Sequence, residues 1–253
     1  MTYQEFVGSA EAQQRYWARS CAGWPLMRRT RPNTGHHAIA ELERLGLVDA
    51  VITQNVDGLH HAAGSHPVVE LHGALRHVVC LACRATSDRD QVQDRLARAN
   101  PGFDATLFTD TDGDTAAVHP DGDVALAAEM VARFRPVDCP ACGGGPLKPD
   151  VVFFGENVPK DRVARCFDLV DAARTLLVLG SSLTVMSGYR FVRHATRRHI
   201  PVAIVNQGPT RGDDHATLRI DAPLGATLTT TLITVATLTT PTPVTRHVPE
   251  PHT

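Results

Sequence analysis

Thr53-Gln-Asn-Val-Asp-Gly-Leu-His60 follows directly on a short, mostly apolar run, Val48 to Thr53, and leads on to Glu70-Leu-His-Gly73. The apolar run reads as a buried strand, and it stops abruptly at Gln54, Asn55, Val56, Asp57 and Gly58. Two later segments repeat the design. Thr175 to Leu179 ends in Gly180, Ser181 and Ser182, and Val202 to Val205 ends in Asn206, Gln207 and Gly208. Residues 184–199 between them read as a helix, and Pro201 opens the strand that follows. Upstream, residues 36–47 carry Ile39, Leu42 and Leu45 on one helical face and are stopped by Gly46. Buried apolar strands alternating with helices predict an α/β fold with a parallel sheet covered on both faces. Ligands bind such sheets outside the carboxyl ends of the strands. Glycine and serine allow close backbone approach there, and Asn and Asp suit ribose-like diols, so the pattern points to a nucleotide. Any one of these ends could be an ordinary turn, since Gly, Asn and Ser dominate turns. Three in sequence are harder to dismiss.

Six cysteines are present, and four form two C-x-x-C pairs, Cys80/Cys83 and Cys139/Cys142. Each pair turns two sulfurs toward one point, and two pairs complete the closed four-thiolate shell of a structural zinc, Zn2+. Disulfides or redox pairs are the alternative, disfavoured in a cytosolic chain. The 55 residues between the pairs exceed the usual zinc-ribbon spacing, so residues 84–138 are read as an insertion. Within it Asp90 to Ala99 reads as helical, and Asp110 to Asp114 as a solvated acidic loop that lacks the full calcium-loop spacing. Cys21 and Cys166 read as small buried residues.

The chain has 253 residues, 25 Lys+Arg and 27 Asp+Glu, and a formal charge of −2. That excludes a nucleic-acid binder working by large general positive charge. Hydrophobic residues at 43% suffice for a real core. No apolar run approaches the roughly 18 residues of a membrane span, and the N-terminus has no signal-peptide pattern. A cytoplasmic protein is expected, with a Thr-, Pro- and His-rich tail over 238–253 expected to be disordered.

The stretch 53–60, Ala63-Gly64 and Glu70 to Gly73 resembles the central signature of the sirtuins, NAD-dependent protein lysine deacylases. The cysteine pairs fall where sirtuins carry their zinc module. Leu147-Lys-Pro-Asp-Val-Val-Phe-Phe-Gly-Glu156 is similar to the family's substrate-binding stretch, Gly180 to Leu183 to its G-[TS]-S-L element, and Val205-Asn206 to its adenosine-side strand end. The matches keep family order over roughly residues 48–221. Gln14 to Arg19 and Ser187 to Arg190 resemble the class II branch. The resemblance implies a Rossmann-like domain in two parts, 1–72 and 151–237, around a zinc-binding module at 73–150.

It also implies a chemistry. The acyl oxygen of a modified lysine attacks the nicotinamide ribose of NAD, and nicotinamide leaves. His72, as general base, helps a ribose hydroxyl onto the acyl carbon. The products are free lysine, nicotinamide and O-acyl-ADP-ribose, so acylated-lysine proteins are the expected partners. Gln54, Asn55, Val56 and Asp57 would line the nicotinamide-ribose side. Gly180, Ser181 and Ser182 would hold the adenosine ribose and phosphate, and Asn206, Gln207, Gly208 and Leu224 would border the adenine. Val152, Phe153, Phe154, Gly155 and Glu156 would bind the peptide by β-augmentation. The bland reading of Val151 to Phe154 is a core strand. With 13 histidines in the chain, only the Glu-Leu-His-Gly context selects His72 over His60 or His61.

The family's N-terminal strand, its Gly-Ala-Gly-x-Ser phosphate loop and its Pro-Asp-x-Arg segment have no match here. The expectation is a start codon assigned too late, with several dozen residues preceding Met1; a true truncation that binds NAD poorly is the other explanation. Tyr16 and Arg19 share a helix face, as in sirtuins that grip acidic acyl groups, which would extend the substrates beyond acetyl. The competing reading is a core tyrosine beside a surface arginine. Mono-ADP-ribosyl transfer and an inactive peptide-binding module are the competing functions.

Overall fold

The structure, a computed structural model, describes residues 1–103, 126 and 128–239. Helix α1 (Tyr3–Gly8) opens on a capping box between Thr2 and Glu5. Ser9 caps α2 (Ala10–Met27), and Asn33 caps α3 (Thr34–Arg44). The expected stop at Gly46 is present. Its φ is +71°, its N–H donates to the Glu43 carbonyl, and the Leu47 N–H reaches back to Leu42. These are the two hydrogen bonds of a Schellman ending, which needs a residue free to adopt positive φ.

Strand β1 covers only Val51–Thr53, so the predicted strand is three residues too long at its start. The apolar Val48 belongs instead to a small core with Ile39, Leu42 and Leu228. After the short α4 (Leu59–Ala62), β2 (Val68–Glu70) pairs parallel to β1. Strand β3 (Gly73–Cys80) then lies antiparallel between β4 (Thr86–Asp88) and β5 (Leu147–Val151). Helix α5 (Arg89–Ala99) packs on this sheet, and α6 (Ala128–Arg133) packs on α2. The predicted helix at 90–99 is therefore α5, and the acidic 110–114 loop lies outside the described residues.

The chain continues through α7 (Lys160–Ala172), β6 (Leu176–Leu179), α8 (Met186–Arg197), β7 (Val202–Val205) and β8 (Leu218–Ile220). These three strands form a parallel sheet in the order β6-β7-β8. Among the described residues the parallel strands thus fall into two sheets, β1-β2 and β6-β7-β8, rather than one. Helix α9 (Leu224–Thr239) packs on α3, runs two residues into the stretch expected to be a tail, and was not foreseen. Residues 240–253 lie outside the described residues.

Two large cores result. One joins Phe6, Tyr16, Trp17 and Cys21 to Val78, Cys80, Leu96, Phe134 and Leu147, so α1 and α2 pack with the antiparallel sheet. The other joins Val69 and Leu71 to Cys166, Val178, Phe191 and Ile204. Burial pushes the Cys166 thiol up to about 11, which fits an inert packing residue.

Gly73 sits where the chain passes from one core to the other. Its φ is +83°, and a Cβ there would lie 1.9 Å from the Asp150 carbonyl oxygen. Gly73→Ala is expected to destabilise the protein by more than about 2 kcal/mol in urea unfolding. A wild-type midpoint for the variant would show that the β3-β5 approach can relax.

Candidate active site and metal centre

The ends of β1, β2 and β6 and the start of α8 converge. His72 follows directly on Leu71 after β2, and its Nε2 lies 2.7 Å from the Ser187 Oγ in the first turn of α8. The Gln54 backbone also lies against the ring and favours its protonated form. The Gln54 side chain accepts from the Ser181 hydroxyl at 3.3 Å. Gly188 makes this approach possible, because a Cβ there would lie 2.7 Å from the Gln54 Oε1. Burial is the main force lowering the His72 pKa, and the nearby Arg162 and Arg190 lower it further against the Gln54 backbone. The ring is therefore held neutral at neutral pH, as a base requires. Arg162 is anchored beside it by a 3.3 Å bond to the Leu71 carbonyl.

The other predicted cofactor residues are distributed around this point. The Asp57 carboxylate accepts from the Leu59 N–H at 2.9 Å and lies beside His36 and His60, whose rings are 4.8 Å apart. Val56 is tied by its carbonyl to the Leu75 N–H, and Asn55 is exposed. The Gly180 N–H donates to Val205, and its α-carbon faces Leu224. Ser182 is exposed, sharing a hydroxyl bond with Thr184. Leu183, buried at 4%, holds a φ of +56°, a strained state for leucine. On the β7 side, the Asn206 amide donates to the Gln207 and Gly208 carbonyls, and Asp221 accepts from the Gly208 N–H.

The predicted peptide stretch differs in form. Strand β5 ends at Val151, and residues 152–156 make a turn instead of continuing it. Val152 donates to the His72 carbonyl at 2.8 Å, which brings this turn beside the imidazole. Thr2 bridges Phe154 in parallel, with the Tyr3 N–H on the Phe154 carbonyl at 2.9 Å, and Phe154 itself is 73% exposed. Tyr16 is a core ring, edge-on to Phe6 and Trp17 and tilted against Phe153, while Arg19 three residues on is half-buried rather than a surface residue.

Cys80, Cys83, Cys139 and Cys142 place all four sulfurs within 4.8 Å of one another. The Cys80–Cys142 and Cys83–Cys139 separations are both 3.7 Å. Thiolates at the usual ~2.3 Å around zinc form a tetrahedron with edges of about 3.8 Å, so the cluster fits that ion. A disulfide would bring a sulfur pair to about 2.0 Å, and all six cysteines are free. The backbone N–H groups of Cys83 and Ala141 point at the Cys80 and Cys139 sulfurs, favouring the thiolates a metal needs. Gly145 leaves the room: a Cβ there would lie 2.4 Å from the Cys80 Sγ and 3.0 Å from the Cys142 Sγ.

Ser187, Gly188 and Gly145 were not singled out as site residues from sequence. Ser187 and Gly188 stand in the Ser187-Gly-Tyr-Arg190 stretch noted as a branch marker, and Gly145 in the glycine run after Cys142. Ser187 and Gly188 meet partners 115 and 134 residues away, and Gly145 meets Cys80 at 65 residues besides its near neighbour Cys142, distances beyond any local pattern.

A Rossmann-like α/β frame, a four-thiolate module and an imidazole at the strand ends define a nucleotide-dependent enzyme class. The chain belongs to the Sir2 family, whose profile matches residues 1–187. It is 56% identical over 230 residues to NAD-dependent protein deacetylase 1 of Streptomyces coelicolor, covering 91% of this chain and 74% of that one. It is 53% identical over 221 residues to NAD-dependent protein deacetylase 1 of Mycobacterium avium, covering 87% and 76%. Among solved structures, Sir2Tm bound to a propionylated peptide superposes with a TM-score of 0.70 at 27% identity, covering 93% of this chain and 83% of that one. A Sir2–p53 peptide–NAD+ complex gives 0.70 at 28% identity, covering 93% and 82%.

Purified wild type is expected to carry one zinc ion per chain by metal analysis, and Gly145→Ala to carry substantially less, with a lowered Tm. Full zinc occupancy in Gly145→Ala would contradict the close packing of glycine on the sulfurs.

Proposed function

We propose that the chain is an NAD-dependent protein lysine deacylase of the class II branch, acting in the cytoplasm on acylated-lysine proteins. One observation carries this reading. The neutral His72 imidazole, held by Ser187 and Gln54, stands beside both the strand ends suited to a nucleotide and the 152–156 turn. Cysteine pairs grouped for a metal rather than for disulfides suit a reducing compartment, and among the described residues no helix is long and apolar enough to cross a membrane.

NAD, when bound, supplies an anomeric carbon that turns electrophilic as nicotinamide departs. The residues act around that chemistry. Gln54, Asn55, Val56 and Asp57 would hold the nicotinamide-ribose side. Gly180, Ser181 and Ser182 would hold the adenosine ribose and phosphate, and Asn206, Gln207, Gly208 and Leu224 the adenine. The hydroxyl of Ser187 fixes the imidazole orientation, and the neutral ring would take the ribose proton. Val152, Phe153, Phe154, Gly155 and Glu156 would seat the acyl-lysine peptide. The 56% and 53% identities to named deacetylases support the same conclusion.

The test is release of free-lysine peptide and nicotinamide from acetyl-lysine peptide plus NAD. His72→Ala is expected to lower the rate by about 10²–10⁴-fold without loss of zinc. Label from NAD appearing on the protein instead of in O-acyl-ADP-ribose would identify ADP-ribosyl transfer. Peptide binding without NAD consumption would identify a binding module.

A pH profile offers a second check. The base works only when neutral, and burial lowers its pKa, so the acidic limb of kcat/KM is expected below 6.5. Arg190→Met removes a cation that opposes ring protonation and is expected to move that limb upward. A limb that moves down, or stays put in both Arg190→Met and Arg162→Met, would remove His72 from the titrating role.

A further inference from the structure

Lys148, the second residue of β5, is buried, with only 3% of its side chain exposed. Lysine is almost never fully buried unless paired. Here the ammonium finds three acceptors for its three protons. The Val151 carbonyl lies at 2.5 Å, the Pro149 carbonyl at 3.2 Å, and a Glu156 carboxylate oxygen at 2.9 Å. That same carboxylate oxygen accepts the Phe153 N–H at 2.9 Å. The Phe153 ring covers the ammonium at 4.5 Å, and the Tyr3 ring stands at 5.9 Å. One cation thus fastens the start of the 151–156 turn to its end. The Glu156 N–H closes the same turn on the Phe153 carbonyl at 3.0 Å.

A buried ion pair is a weak source of stability, because desolvation offsets the attraction; well-packed apolar residues often do as well. What this pair supplies is shape. The residues it encloses include Phe154, the exposed tip of the turn, and Gly155, whose φ is +78°. We propose that Lys148 is a positioning residue for the acyl-lysine peptide, its ammonium holding the 151–156 turn in the form that receives substrate. The inference rests on the reading of residues 152–156 as the peptide site.

The experiment measures binding of a fluorescent acetyl-lysine peptide by anisotropy, and KM for peptide and for NAD separately, on the zinc-loaded full chain. Lys148→Met is expected to raise the peptide Kd and KM by about tenfold or more, while kcat and the KM for NAD stay within about twofold. Glu156→Gln, which leaves the ammonium its two carbonyls, is expected to move the same two constants by a smaller factor. The double variant should match Lys148→Met rather than the product of the single effects. A folded Lys148→Met with wild-type peptide affinity, or one whose kcat and both KM values shift together, overturns the proposal. If Lys148→Met does not fold, Glu156→Gln decides: unchanged peptide affinity overturns the proposal, and a selective loss supports it. Wild type that binds no acyl-peptide at all overturns the functional reading first, and this proposal with it.

Discussion

Two backbones approach more closely at Gly73 than any side chain would permit. The Asp150 carbonyl oxygen occupies the place of a β-carbon, and the positive φ turns the chain from β2 into β3 at that point. The register between β3 and β5 begins there, with Gly73 opposite Val151, and resumes at Val78 opposite Pro149 after an irregular stretch. His72 is the residue immediately before. The position of the imidazole is therefore set by backbone contact at Gly73, by the carbonyl of His72 on Val152, and by its ring on Ser187. None of the three depends on the long flexible side chains that make surface electrostatics soft.

The four sulfurs close the far end of the same pair of strands. Cys80 ends β3, and Cys139 and Cys142 precede β5, with Cys80 opposite Leu147 in the ladder. A metal tie at one end and a glycine contact at the other bracket the β3-β5 pair. Between them the ladder bears Lys148, which reaches from the strand into the turn beyond it. The aromatic group of Phe6, Tyr16 and Phe153 then packs α1 and α2 over this pair. The first helices consequently belong to the core of the antiparallel sheet.

Much of this was legible from local pattern. Apolar runs ending in Gly, Asn or Ser marked β1, β6 and β7, because a buried parallel strand leaves a strong signature in few residues. The C-x-x-C pairs marked the metal cluster, because ligand geometry restricts spacing. The limits were equally physical. Strand β1 begins three residues late because its partner β2 pairs only from Val68 opposite Val51, while Val48 serves the α3-α9 core, a tertiary choice no period reveals. Helix α9 is rich in threonine, whose hydroxyls bond back to carbonyls four residues earlier, as at Thr227, Thr229 and Thr231. Such a composition has poor intrinsic helix preference and leaves no helical signal in the sequence. The apolar run at 151–154 was read as strand, but Glu156 and Lys148 fold it into a turn. Ser187 became visible only when α8 delivered its first turn to the end of β2.

Where the chain crosses between its two large cores has a mechanical meaning. It does so between α2 and Ile52, at residues 71–78, and again between Phe153 and Val158. The second crossing bears the imidazole and the third bears the turn beside it. The cleft thus lies along the seam between the two cores, so the groups that bear its chemistry are set by packing from both sides.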